Sequence, residues 1–273
     1  MQFRTTVDIP RPSFSIQPCE QMLFVGSCFA DNIGRRFQEE MFRATVNPYG
    51  VMYNPASILH TVQRTEVAPQ TAVLTLGTNR VYILKETGEI VDNCRKRPQR
   101  LFDERSLTVD ECAAYLMQAV ALLQERRPGV RVIVTVSPIR YAKYGYHGSQ
   151  LSKATLLLAA DKVVGESGGA VTYFPAYEIV NDELRDYRFY ADDMLHPSPL
   201  AVEYIWQRMV EVFFSDRAKA FLREWEPVKR GLAHRPFNAE APEYMAFRQR
   251  LRDTAAQLKE RYPDMPLGDV ALL

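Results

Sequence analysis

The sequence predicts an α/β fold: a flavodoxin-like, doubly wound, mostly parallel sheet in a three-layer α/β/α arrangement, with a helical C-terminal extension. Three observations predict it. Short apolar runs of strand length alternate with stretches of helical period. Several runs, such as Ala72-Val73-Leu74-Thr75-Leu76, are nearly continuous in apolar and β-branched residues, as strands covered on both faces are. Beyond about Ser215 the strand pattern stops and only charged amphipathic segments remain.

Met22-Leu23-Phe24-Val25 reads as the first buried strand. It runs through Gly26-Ser27 into Phe29, Ile33 and Phe37, which recur at helical spacing, so the first unit is strand, tight turn, helix. Thr45-Val46 is a weak second strand, and Asn47 to Pro55 a loop with two prolines and a glycine. Ala56 to Thr65 is helical and Ala72 to Leu76 the third strand. Val81 to Leu84 and Glu89 to Val91 flank Thr87-Gly88, a hairpin signal. Val109 to Arg127 is a helix stopped by Pro128-Gly129, and Arg131 to Val136 a strand. A loop from Ile139 to Gln150 leads to a helix over Leu151 to Gly165. Ala170 to Phe174 is the last strand, and Pro199 to Phe214 a helix. Strands alternating with helices imply right-handed crossovers and a mostly parallel sheet. Two units follow, residues 1–214 as the α/β domain and residues 215–273 as the helical appendage.

The composition bounds the function. The 273 residues are 47% hydrophobic and 25% charged, ample for a core. The formal charge of +1 gives no electrostatic reason to expect nucleic acid or an anionic membrane as partner. No run approaches the roughly 18 apolar residues of a membrane helix. Met1 to Pro10 has no apolar leader pattern, so a cytoplasmic location is expected. The four cysteines lack Cys-x-x-Cys spacing and read as free thiols. No metal is expected, because no ligand pair has close metal-type spacing. Oligomeric state stays open.

In an open α/β sheet, ligands bind at the carboxyl ends of the strands. Gly26-Ser27-Cys28-Phe29-Ala30 lies at one such end. A serine there is exposed on a tight turn with a helix N-terminus behind it, whose N–H groups suit a developing oxyanion. Ser27 has a second reading, as an ordinary N-cap. Cys28 reads as a small core residue, with a nucleophile or a redox partner of Cys94 as alternatives. Asp193 lies three residues before His196, after the last strand. A serine needs a base, and the base needs a carboxylate to hold one tautomer. Asp192 is the competing carboxylate. Gly77 and Asn79, after the third strand, and Asn93, beyond the hairpin, are candidate oxyanion donors, or ordinary turn residues.

The pentapeptide Gly-Ser-Cys-Phe-Ala at residues 26–30 resembles the eponymous motif of the GSCFA family, itself similar to SGNH/GDSL-type hydrolases. Asn47-Pro48-Tyr49-Gly50, Leu76-Gly77-Thr78, Asn93-Cys94, Ser152-Lys153-Ala154 and the run from Asp182 through His196-Pro197 share in it. The match covers roughly residues 15 to 210, and the tail carries little of it. The resemblance implies Ser27 as nucleophile, although Gly-Ser-Cys replaces Gly-Asp-Ser, with Asp193 and His196 as the Asp-x-x-His block. It implies oxyanion donors from Ser27, from a glycine (Gly50) and from an asparagine, with Asn93 fitting the nearer family and Asn79 the older block.

The expected function is a serine esterase acting on a small ester, such as an O-acetylated carbohydrate, through an acyl-Ser27 intermediate. No cofactor is required. Acyl transfer to a carbohydrate hydroxyl and a non-catalytic binding module of the same fold are the alternatives.

Overall fold

The structure, a computed structural model, describes residues 4–268 except 93, 95, 96 and 239. Five strands form one parallel sheet: β1 (Gln21–Gly26), β2 (Arg43–Val46), β3 (Thr71–Leu76), β7 (Arg131–Val136) and β8 (Val171–Tyr173). Their order is β2-β1-β3-β7-β8, the doubly wound order expected. β4 (Arg80–Leu84), β5 (Ile90–Val91) and β6 (Phe102–Ser106) form a separate antiparallel sheet in the order β5-β4-β6. The Thr87-Gly88 hairpin is present, since β4 pairs antiparallel with β5. β6 has no counterpart in the sequence reading. Its residues Phe-Asp-Glu-Arg-Ser are exposed after the first, so no apolar alternation marks them.

Alternating side chains of the parallel strands feed two cores. Met22, Phe24, Val73 and Ile133 face one side. Leu23, Val25, Ala72, Leu74, Val132 and Val134 face the other. α1 (Cys28–Glu39) and α6 (Pro199–Phe213) cover the first face. α2 (Pro55–Arg64), α3 (Val109–Arg126) and α4 (Gly145–Glu166) cover the second. α4 begins earlier than its sequence pattern suggests, so residues 145–150 are helix and not loop. Its first turn contains two glycines and no side-chain cap, which hides the start from propensity arguments. After β8 the chain makes one short helical turn, α5 (Ala176–Glu178).

The last two helices, α7 (Asp216–Ala233) and α8 (Pro242–Arg261), join the first core through Phe221, Trp225, Ala255 and Leu258. Trp225 Nε1 donates to Glu39 O at 2.9 Å, and Lys229 Nζ meets Glu40 Oε1 at 2.5 Å, tying α7 to the end of α1. Among the described residues, no helix is long and apolar enough to cross a membrane.

Candidate active site

The β1–α1 turn begins at Gly26, whose φ is +145°. A Cβ there would lie 2.1 Å from Thr75 O, so only glycine lets β1 turn against β3 at this point. Asn47 fastens the turn from the end of β2. Its Oδ1 accepts from Gly26 N at 2.8 Å, and its Nδ2 donates to Asp31 Oδ1 at 2.6 Å. Thr75, buried on β3, accepts at Oγ1 from Ser27 N at 3.0 Å. Sequence reasoning quoted Asn47 only as part of a family motif and Thr75 only as part of a strand, because the partners that define their roles lie 16 to 48 residues away.

Ser27 is the N-cap of α1. Its Oγ accepts from Phe29 N at 3.2 Å and lies 3.3 Å from Thr75 Oγ1. Cys28 follows as the first helical residue, half-buried, with Sγ 3.9 Å from the Tyr53 hydroxyl. Burial, and next the neighbouring Cys28, push the Tyr53 phenol up to about 12, so it stays a protonated donor near neutrality. All four cysteines are free thiols.

The structure joins Asp193 and His196 as the spacing implied, and Asp192 has no part in that pairing. Asp193 Oδ2 lies 2.6 Å from His196 Nδ1. Its Oδ1 accepts from Leu195 N at 2.8 Å and His196 N at 2.9 Å. Those backbone N–H groups, His196 first, and then the imidazole hold the Asp193 carboxyl down to about 2. An ionised carboxylate on Nδ1 makes Nδ1 the protonated nitrogen and leaves Nε2 as an acceptor, the tautomer a general base needs. Among the described residues, no hydrogen bond joins His196 to Ser27 or Cys28.

The expected oxyanion donors are otherwise engaged. Gly77 N and Gly50 N donate to Tyr53 O at 3.0 Å and Asn47 O at 2.8 Å. Asn79 Nδ2 donates to Leu107 O at 2.7 Å, and its backbone N to Ser152 Oγ at 3.0 Å. Gly77 and Asn79 are buried, where a donor left unpaired costs about 1–3 kcal/mol, whereas Gly50 is exposed. Gly50 lines a cavity of about 460 Å³ with Tyr49, Arg64 and Asp92. Asn93 lies outside the described residues.

Two groups at the strand ends had no assigned chemical role in the sequence reading, although Lys153 lies in the Ser152-Lys153-Ala154 motif and Tyr141 in the loop from Ile139 to Gln150. Lys153, 2% exposed, donates from Nζ to Gly77 O and Ser137 O, both at 2.7 Å, bridging the ends of β3 and β7. Burial pulls its pKa down to about 7. Tyr141 has a buried hydroxyl oxygen with no hydrogen-bond partner among the described residues. A second His–Asp pair, His60 Nδ1 to Asp92 Oδ1 at 2.7 Å, was also missed, its partners lying 32 residues apart. Burial alone would raise the Asp92 carboxyl, but hydrogen bonding to His60 and the charge of Arg64 lower it. Among the described residues, no group of His, Cys, Asp and Glu could hold a metal ion.

The five-stranded parallel sheet, covered on both faces by helices, defines an α/β protein of the doubly wound type. The chain belongs to the GSCFA family, which it matches over residues 21–71 and 67–209. A further match, to the GSCFA domain protein C-terminal domain, covers residues 225–271, so the resemblance extends past residue 210 into the tail. No curated protein matches the chain. Among solved structures it is similar to an acetylxylan esterase from Geobacillus stearothermophilus, with 14% identity, 74% of this chain and 98% of that one covered, and TM-score 0.48. A GDSL-like lipase from Bacteroides thetaiotaomicron has 12% identity over 75% and 88% of the two chains, with TM-score 0.46. A carbohydrate esterase family 3 protein from Talaromyces cellulolyticus has 12% identity over 75% and 99%, with TM-score 0.39.

Proposed function

We propose that the protein is an ester hydrolase that passes an acyl group through a nucleophile on the β1–α1 turn. His196 takes the nucleophile's proton and returns it to the leaving alcohol. Asp193 orients the imidazole and stabilises its protonated form. The observation that carries this reading is the Asp193–His196 contact of 2.6 Å, with the second carboxylate oxygen held by two backbone N–H groups. General acid–base help of this kind contributes about 10²–10⁴-fold. The nucleophile comes from the Ser27–Cys28 pair, with Ser27 the choice implied by family resemblance.

The substrate class is an O-acylated carbohydrate or similar small ester. Its support is the ring of tyrosines beside the site. Tyr146 is 54% exposed and Tyr187 64% exposed. Arg140 lies over both rings and over Tyr190, with centroid distances of 4.3, 5.8 and 5.5 Å. Exposed aromatic faces anchored this way suit stacking on a sugar. The test is release of nitrophenol from p-nitrophenyl acetate and of acetate from acetylated oligosaccharides. His196→Ala is expected to reduce both by about 10²–10⁴-fold. Equal turnover in wild type and His196→Ala would end the proposal. Acetate release that falls when a free sugar is added, with acetylated sugar appearing, would assign acyl transfer instead.

The missing Ser27–His196 hydrogen bond favours a second reading, a binding module without chemistry. Binding of an acetylated oligosaccharide with no turnover would support it.

A further inference from the structure

The β1–α1 turn offers two heteroatoms in contrasting surroundings. Ser27 is 0% exposed. Its hydroxyl caps α1 and faces Thr75, so both of its near neighbours belong to the fold itself. The serine oxygen is therefore already engaged in holding the turn. Cys28 is half-buried, and its sulfur meets the hydroxyl of Tyr53, a residue exposed at the surface. As the first helical residue, Cys28 also has a backbone N–H with no intrahelical acceptor.

Independent observations bring further polar groups to this turn. The Tyr141 hydroxyl oxygen is buried and unpartnered. It lies 2.5 Å from where a Cβ on Gly77 would sit, a point also 3.4 Å from Ser27 Cβ. The Tyr141 ring packs edge-on against Tyr53, with centroids 6.1 Å apart. Burial raises the Tyr141 phenol well above its ordinary value, with Tyr53 and Cys28 adding to the effect, so it remains a donor. A buried O–H without an acceptor is costly unless a ligand oxygen completes it. Pro197, beside His196, lines one cleft with Asn32, a helical turn beyond Cys28 on the same side.

We propose that the attacking atom is Sγ of Cys28, with Ser27 acting as the cap that shapes the turn, and that the Tyr141 hydroxyl donates to the acyl oxygen. This rests on the esterase reading above. His196 Nε2 takes the thiol proton as the sulfur bonds to the ester carbonyl carbon. The tetrahedral oxyanion is met by Tyr141 and by the Cys28 N–H. The carbon–oxygen bond to the alcohol then breaks, and the alcohol leaves with the proton from His196. Water, deprotonated by His196, attacks the thioester. The carbon–sulfur bond breaks, the acid departs, and the thiol recovers its proton.

The experiment is acid-quenched reaction with p-nitrophenyl acetate, followed by peptide mapping by mass spectrometry and a neutral hydroxylamine wash. The acetyl group is expected on Cys28, removed by the wash as a thioester. Cys28→Ala should lose the adduct and reduce turnover on the order of 10³-fold or more. Ser27→Ala should keep the adduct while melting at lower temperature, because it removes a cap. Cys28→Ser should acylate at residue 28 as a hydroxylamine-resistant ester. Tyr141→Phe should lower kcat with little change in KM. An acetyl group on Ser27, with Cys28→Ala still turning over in a His196-dependent manner, would overturn this proposal and leave the esterase reading intact. No nitrophenol release by the wild type would overturn both.

Discussion

The two ends of the central sheet are held together in opposite ways. At the amino end, Glu20 is 1% exposed and receives the Arg131 guanidinium, the Thr71 hydroxyl at 2.5 Å and the Gln17 N–H at 3.0 Å. Arg131 also donates to Ser15 O at 2.9 Å. Charge meets charge there, and the carboxylate's hydrogen bonds are filled by the fold. At the carboxyl end, Lys153 meets only carbonyl dipoles and tyrosine rings, and among the described residues no carboxylate pairs with it. Beside it Tyr141 has an unfilled donor, and the Asp193–His196 pair lies partly open to solvent. A closed ion pair serves stability. Among the described residues, the carboxyl end instead keeps a buried amine without a carboxylate, an unpaired hydroxyl and a partly exposed imidazole.

The comparison can be broken most sharply at Asp193. Asp193→Asn is expected to lower kcat on the order of 10³-fold by losing the protonated-Nδ1 tautomer. The fold should be kept, because asparagine retains an Oδ1 acceptor for the Leu195 and His196 N–H groups. Because the carboxyl titrates near 2, the wild-type loss of activity in mild acid is expected not to come from Asp193. A pH–rate profile with paired melting curves checks both points.

The amino end should answer in the other currency. Glu20→Ala leaves Arg131 without its carboxylate and is expected to destabilise by about 3 kcal/mol in urea unfolding, with turnover per folded molecule kept. A variant that loses turnover at full stability would dissolve the contrast.

Gly77→Ala touches both properties. Its Cβ would lie 2.5 Å from Tyr141 Oη and 2.8 Å from the Tyr53 carbonyl oxygen, a backbone atom that cannot swing away. We expect a stability cost of about 1–3 kcal/mol together with slower acyl-enzyme formation in stopped flow.

A pH-dependent effect is expected at Lys153. Burial lowers its pKa from 10.5 to about 7, so between those values the unfolded chain binds more protons than the folded one. Stability from this group therefore rises with pH across that window. Lys153→Met should flatten the rise, seen as unfolding midpoints that no longer climb between about pH 7 and 10. An unchanged slope would show that the ammonium is not desolvated as the geometry implies.

Much of the fold was legible because it rests on local signals. Continuous apolar runs gave β1, β3 and β7, and turn residues gave the β4–β5 hairpin. β6 was illegible because an exposed, charged strand exists only through its ladder with β4. The start of α4 was hidden for a related reason, since Gly145 to Gln150 lack the periodicity that packing supplies elsewhere. In the site, Asp193 and His196 could be paired from spacing because three residues of chain bring them together. The proposed oxyanion donors could not be judged from sequence, since whether an N–H is free depends on what the rest of the fold places opposite it.

The sequence by itself determined the α/β alternation and the Gly26-Ser27-Cys28 turn, and narrowed the partner of His196 to Asp192 or Asp193, because each is encoded within a few consecutive residues. Only the tertiary structure decided which heteroatom on that turn is enclosed and which is open. Thr75, 48 residues from Ser27, walls in one hydroxyl, and Tyr53, 25 residues from Cys28, meets the other group's sulfur. Likewise it is the junction of β3 and β7 that buries Lys153. Such long-range closure has no local signature, because the energy that fixes it comes from desolvation and from partners distant in the chain.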